Sequence, residues 1–176
     1  MLSKAQVGDN MNTSTAGPVV RAARVHRDIS ILRLEAASDI EVLTALADQA
    51  EQNGWVAPTF RDALIERERA YPTGLPTIIP VAIPHADTVH VLQPGLGVAV
   101  LAHPVEFGEM GGAGTFISAR VVVMILVQNP QDQILLLTEL IGLFQTNGWF
   151  DALVAARDLN ELVAVFDRLL AEESRS

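Results

Sequence analysis

The sequence predicts an α/β domain of three layers, one sheet covered by helices on both faces. Three observations carry this. Two helical stretches precede a middle section rich in β-branched residues, and three follow it. Within that middle section, residues 121–127 are apolar at every position, as a strand buried on both faces must be. The 176 residues, 49% of them hydrophobic with a mean hydropathy of +0.29, supply one core and leave too little chain for two full domains.

Taken in order, residues 1–28 mix Ser, Thr, Asn and Gly with Pro18, show no sustained period, and lack the apolar stretch of a signal peptide. They are expected to be a flexible leader, with the domain proper at 29–172. Arg21, Arg24 and Arg27 in this leader are solvated or form one face of a short basic helix, and no function is assigned to them. Residues 29–34 make a strand. Ser38 with Glu41 forms a capping box, and Ile40, Leu43, Leu46, Ala47 and Ala50 recur at helical spacing until Asn53-Gly54. Pro58 and Thr59 open a helix over 60–71, which Pro72-Thr73-Gly74 stops. Strands are expected at 81–83, 95–102 and 118–128, with glycine-rich residues 108–114 as a hairpin loop. A helix over 130–145 places Ile134, Leu137, Leu140, Ile141 and Phe144 on one stripe, and Asn147-Gly148 ends it. A short helix at 149–157 follows, and Asp158 with Glu161 caps the last one through residue 170.

Composition narrows the function. Cysteine is absent, which excludes disulfides, thiolate nucleophiles and cysteine metal sites. No apolar run reaches the roughly 18 residues of a membrane helix, so a soluble protein without direct membrane insertion is expected. The net charge is −9. Four basic and two acidic residues fall in 1–28, leaving eight against nineteen in the rest, so the acidity belongs to the folded body and nucleic acid is a poor partner. Neither GxxxxGK[ST] nor GxGxxG occurs.

Among four histidines, His26 lies in the leader and His103 at an expected strand exit. His85 follows Val81-Ala82-Ile83-Pro84, a buried strand closed by a proline that fixes φ and cannot continue the ladder. An imidazole on so stiff a backbone suits a nucleophile, and a neutral imidazole attacks phosphorus directly. On the 60–71 helix, Arg67 falls on the stripe of Phe60, Ala63, Leu64 and Tyr71 and should point inward, where it needs an anion. Glu68 and Asp87 are candidate internal partners. The alternative is a phosphoryl group, attacked by His85 while the guanidinium holds its oxygens, with no metal and no cofactor required. Thr73 and Gly74 are either plain turn residues or a hydroxyl and an N–H for the same oxyanion. A rival reading makes His85, Asp87 and His90 the first ligands of a metal-dependent hydrolase, although their spacing matches no closed motif.

Arg67-Glu68, Pro72-Thr73-Gly74-Leu75 and Val81-Ala82-Ile83-Pro84-His85-Ala86-Asp87 together resemble the enzyme IIA domains of the phosphoenolpyruvate-dependent sugar phosphotransferase system, fructose–mannitol type. His90-Val91, Pro104-Val105-Glu106-Phe107 and Glu109-Met110-Gly111 are most similar to the galactitol branch. The resemblance implies the mannitol-type fold with a mixed central sheet, and a cytoplasmic phosphocarrier. In it, a histidine here numbered His85 takes a phosphoryl group from the histidine-containing phosphocarrier protein. It passes the group to a IIB component serving the membrane IIC permease, for galactitol or a related sugar or polyol. Arg67 is the family arginine. Where mannitol-type members carry a second histidine, this chain offers Gln133, an amide that can donate a hydrogen bond but cannot change charge, which weighs against mannitol. A regulatory module of the same fold, phosphorylated on His85 and controlling other proteins, is the alternative within the family.

Overall fold

The computed structural model describes residues 24–175. Its order is β1 (Ile31–Leu34), α1 (Asp39–Gln52), α2 (Phe60–Ala70), β2 (Gly74–Leu75), β3 (Val81–Ala82), β4 (Gly95–Gly108), β5 (Phe116–Leu126), α3 (Pro130–Phe144), α4 (Trp149–Val154) and α5 (Leu159–Glu173). Short 3₁₀ turns lie at Arg27–Ile29 and Thr88–His90. The strands form one mixed sheet in the order β1-β4-β5-β3-β2, with β1∥β4 and β3∥β5 parallel and the β4–β5 and β2–β3 pairs antiparallel.

The expected buried centre is β5, and its side chains alternate between two cores. Val121, Val123 and Ile125, with Val127 just past the strand, pack with α3, α4 and α5. Val122, Met124 and Leu126 pack with α1 and α2. Period-2 alternation in a strand without a polar face therefore gives two cores rather than one and a solvated surface. The helix caps form where local chemistry puts them: Ser38 Oγ accepts from Glu41 N–H, and Asp158 Oδ1 accepts from Glu161 N–H at 2.9 Å. Gly148, at φ +83°, makes the turn into α4.

Several expectations are corrected. Strand β4 does not end at 102. It continues to Gly108 through a bulge, where the register moves from Val100↔Val121 to Val105↔Ala119, so five positions of β4 span two of β5. Pro104 lies in this irregular stretch, where its missing N–H costs no ladder bond. His103 is therefore inside a long strand, exposed, with Nε2 3.9 Å from Glu35. Ile40 and Ile134 lie outside the core, whereas Val42 and Leu136 are buried. Residues 24–28, on the leader side of the expected boundary, belong to the fold: Val25 is buried and bridges to Leu96, and the His26 ring lies 4.3 Å from that of Trp55. The rest of the leader, 1–23, lies outside the described residues. Among the described residues no helix is long and apolar enough to cross a membrane.

Candidate active site

Strand β3 pairs with β5 for only two residues, but the pairing extends past Pro84: Ile125 N–H donates to the Pro84 carbonyl at 3.0 Å, and His85 bridges to Ile125. The histidine is thus held against the central strand by a backbone whose φ is already restricted at 84. Its side chain is 5% exposed, more enclosed than an imidazole merely ending a strand. Nδ1 lies 2.9 Å from the carbonyl oxygen of Ile83. A carbonyl only accepts, so this contact assigns the proton to Nδ1 and leaves the lone pair on Nε2. Burial lowers the His85 pKa from its usual 6.5; the Ile83 carbonyl opposes this and the Arg67 charge adds to it. The ring is neutral at pH 7, the form a nucleophile requires.

Arg67 reaches that lone pair from α2. Its Nη2 donates toward His85 Nε2 across 3.5 Å, a long contact, while its guanidinium carbon sits 4.8 Å from the ring centre of Tyr71. The ion pairs among the described residues leave Arg67 out, so neither Glu68 nor Asp87 is its partner. Arg67 is half-buried on the edge of the inward face rather than at its centre, and Tyr71, past the end of the helix, is exposed. The buried row is Phe60, Leu64 and Glu68, at i, i+4 and i+8.

Glu68 is the residue whose role sequence reasoning missed. It is 4% exposed, and both of its oxygens are used by Thr73: the backbone N–H donates to Oε1 and the hydroxyl to Oε2, each at 2.8 Å. Burial pushes the carboxyl up from 4.5 to about 7, against the pull of these two bonds. A glutamate four residues beyond Leu64, followed by a helix-stopping turn with a hydroxyl, was the available signal. Thr73 is consequently not aimed at a phosphoryl group; its hydroxyl proton is committed to Glu68. Gly74 serves close packing, since a Cβ there would lie 2.6 Å from the Gly108 carbonyl oxygen. Gln133 is half-buried in the first turn of α3, which follows the strand that pairs with His85. Residues Asp87, exposed, and His90, whose Nδ1 is 2.8 Å from Thr59 Oγ1, do not join His85 in a group that could hold a metal ion; none exists among the described residues.

The site thus joins a buried neutral imidazole, its Nε2 lone pair facing Arg67, to a cation that makes no ion pair among the described residues. Residues 25–168 match the family described as phosphoenolpyruvate-dependent sugar phosphotransferase system, EIIA 2. The chain belongs to this family. As an enzyme IIA domain it is a phosphotransferase-system component. It is 31% identical over 106 residues, 60% of this chain and 70% of the other, to the galactitol-specific EIIA component of Escherichia coli K12. Its fold is similar to the crystal structure of IIA mannitol from E. coli, with a TM-score of 0.65, 24% identity, and coverage of 80% of this chain and 96% of that one. The E. coli complex of enzyme IIA mannitol with phosphorylated enzyme IIB mannitol gives a TM-score of 0.64, 24% identity, and coverage of 82% and 95%. The mixed sheet and its helical layers are thus those of the mannitol-type enzyme IIA domains.

Proposed function

We propose that this enzyme IIA domain carries a phosphoryl group on Nε2 of His85, received from the histidine-containing phosphocarrier protein and passed to a IIB component. The observation that carries the reading is the contact of Arg67 Nη2 with His85 Nε2 across 3.5 Å, made by a guanidinium that has no carboxylate of its own. As phosphorus approaches, the Nε2–P bond forms, the bond to the donor nitrogen breaks, and that electron pair returns to the donor. The three equatorial oxygens carry the charge, and Arg67 supplies donors to them. Gln133 offers a further N–H. The proton stays on Nδ1, where the Ile83 carbonyl accepts it and stabilises the positive charge the ring acquires. The step uses positioned donors throughout and calls for no metal or cofactor.

The relatives support the finer points. Galactitol is named for the E. coli relative, which favours galactitol or a related polyol as the sugar served here. The mannitol complex joins a IIA domain to a phosphorylated IIB domain, which favours a IIB acceptor; an indirect link to a membrane IIC permease and a place in the cytoplasm are part of the same proposal. Ile78 and Val89, on the segments entering and leaving the His85 strand, are large exposed apolar side chains suited to a partner that docks briefly.

The test is incubation with phosphoenolpyruvate, enzyme I and the phosphocarrier protein, followed by addition of a galactitol-type IIB. Acid-labile label is expected on the wild type, its transfer to IIB, and none on His85→Ala. Label that persists on His85→Ala would overturn the assignment.

A further inference from the structure

The transfer step uses His85 and Arg67 but leaves a buried carboxyl, Glu68, one residue from the arginine and untouched by the chemistry. Its surroundings connect it to the imidazole. Glu68 takes both donors of Thr73; the Thr73 carbonyl accepts from Ile83 N–H at 3.3 Å; the Ile83 carbonyl accepts from His85 Nδ1–H at 2.9 Å. Three hydrogen-bonded links, joined through the backbones of Thr73 and Ile83, therefore connect the carboxyl on α2 to the ring.

The far side of β3 is tied to β5, where Ile125 N–H donates to the Pro84 carbonyl at 3.0 Å; on the near side the Thr73 link is what braces Ile83. Strand β2 pairs with β3 through only two residue pairs, Gly74↔Ala82 and Leu75↔Val81, and the Thr73–Ile83 bond is the last rung before His85. A two-pair ladder does not by itself fix the carbonyl of the next residue. Thr73 is also buried, 2% exposed, so its N–H and hydroxyl need two acceptors at a set spacing, and a carboxyl supplies both.

We propose that Glu68 is a positioning residue for His85: by gripping Thr73 at both donors it fixes the Ile83 carbonyl, which keeps the proton on Nδ1 and the lone pair on Nε2. This rests on the reading of His85 as the phosphoryl acceptor, but the positioning is measurable on the resting protein. A ring free to place its proton on either nitrogen would spend part of its time with Nε2 blocked, and transfer would slow in proportion.

Long-range ¹H–¹⁵N spectra of the His85 ring in the full chain read the tautomer directly. The wild type should show protonated Nδ1 and bare Nε2. Glu68→Ala should lower the ratio of the Nδ1–H to the Nε2–H form by about fivefold to tenfold, the worth of one hydrogen bond, and slow phosphoryl uptake by the factor by which the Nδ1–H fraction falls. Glu68→Gln keeps an acceptor for Thr73 N–H and a donor for its Oγ1, so the wild-type tautomer should return along with most of the rate. Thr73→Val, which keeps the backbone bond alone, should shift the ratio by about half as much on a logarithmic scale, and it decides the matter if Glu68→Ala does not fold. An unchanged tautomer in folded Glu68→Ala, or in Thr73→Val where Glu68→Ala fails to fold, overturns the proposal, as does Glu68→Gln behaving like Glu68→Ala. Loss of label on the wild type would instead count against the phosphocarrier reading and leave the tautomer result standing.

Discussion

The two ends of α2 are both tied to the segment around His85, and they are tied differently. At the N-terminal end Thr59 Oγ1 meets His90 Nδ1 at 2.8 Å near the surface, and Ala57 N–H donates to the His90 carbonyl. At the C-terminal end Glu68 and Thr73 are both buried, and Arg67 beside them reaches His85. Exposed partners can be replaced by water at small cost, whereas a buried donor left unmatched costs its full desolvation. One end of the helix is therefore a surface anchor, and the other concentrates buried polar satisfaction within the seven residues Arg67 to Thr73, beside the imidazole proposed to carry the phosphoryl group.

Removing Arg67 should separate the ends most sharply. Arg67→Ala takes the donors from the developing phosphoryl charge, and transfer should slow by the equivalent of about 2–4 kcal/mol, as for a lost oxyanion donor. Stability should change little, because no carboxylate loses its partner. With the Arg67 charge gone, the His85 pKa should move back toward 6.5 without reaching it, because burial is the larger cause of its depression. Rapid-quench labelling and ring titration by NMR check the two effects. Unchanged transfer would remove the distinction between the ends.

What the sequence could show follows this same division between local and distant causes. Ser38 and Asp158 cap helices through bonds to residues three positions away, so both helix starts were legible. Pro84 next to His85, and the unbroken apolar run of β5, announced the stiffened strand and the buried centre. Strand β2 was not legible, because a two-residue strand exists only through its partner β3. Nor was the passage of β4 through Pro104, which depends on a bulge set by register with β5. On α2 the inward row passes through Glu68 with Arg67 at its edge, a difference of one position that periodicity alone does not resolve when the helix ends at Ala70 and the apolar Tyr71 lies beyond it. The sequence singled out Arg67, which the structure places 3.5 Å from His85; the carboxyl beside it became informative only once Thr73 was seen to occupy both of its oxygens.

The buried end should also make stability depend on pH. The folded Glu68 carboxyl, raised from 4.5 to about 7, holds a proton that the unfolded chain has already lost above 4.5. The folded state thus binds more protons across that window, and its stability falls as pH rises from 4.5 through 7, by on the order of 3 kcal/mol from this group. Asp39 pushes in the same direction and Arg67 opposes it. His85 works the other way: its lowered pKa contributes stability above 6.5 that is lost as pH falls. Comparing wild type with Glu68→Gln cancels His85, so the difference between their urea-unfolding free energies should narrow steadily toward pH 4.5 and open in favour of the glutamine variant at pH 8. A difference independent of pH would mean that the carboxyl is ionised at no cost, and the contrast between the buried and the exposed tie would fail.

The exposed end should show the smallest response. Thr59→Val deletes the hydroxyl that meets His90, and water can reach the ring in its place, so the expected loss is about 1 kcal/mol or less of stability. Phosphoryl transfer should stay within about twofold of wild type, since an anchor near the surface sets where α2 begins and leaves the Glu68–Thr73 bonds and the Arg67 contact intact. A double-mutant cycle with His90→Ala isolates the pair, with a coupling of about 0.5–1 kcal/mol in unfolding and none in the labelling rate. A coupling that appeared in the rate instead would mean that the Thr59–His90 contact steers the segment from His85 to His90 during transfer, and both ends of the helix would then belong to the site.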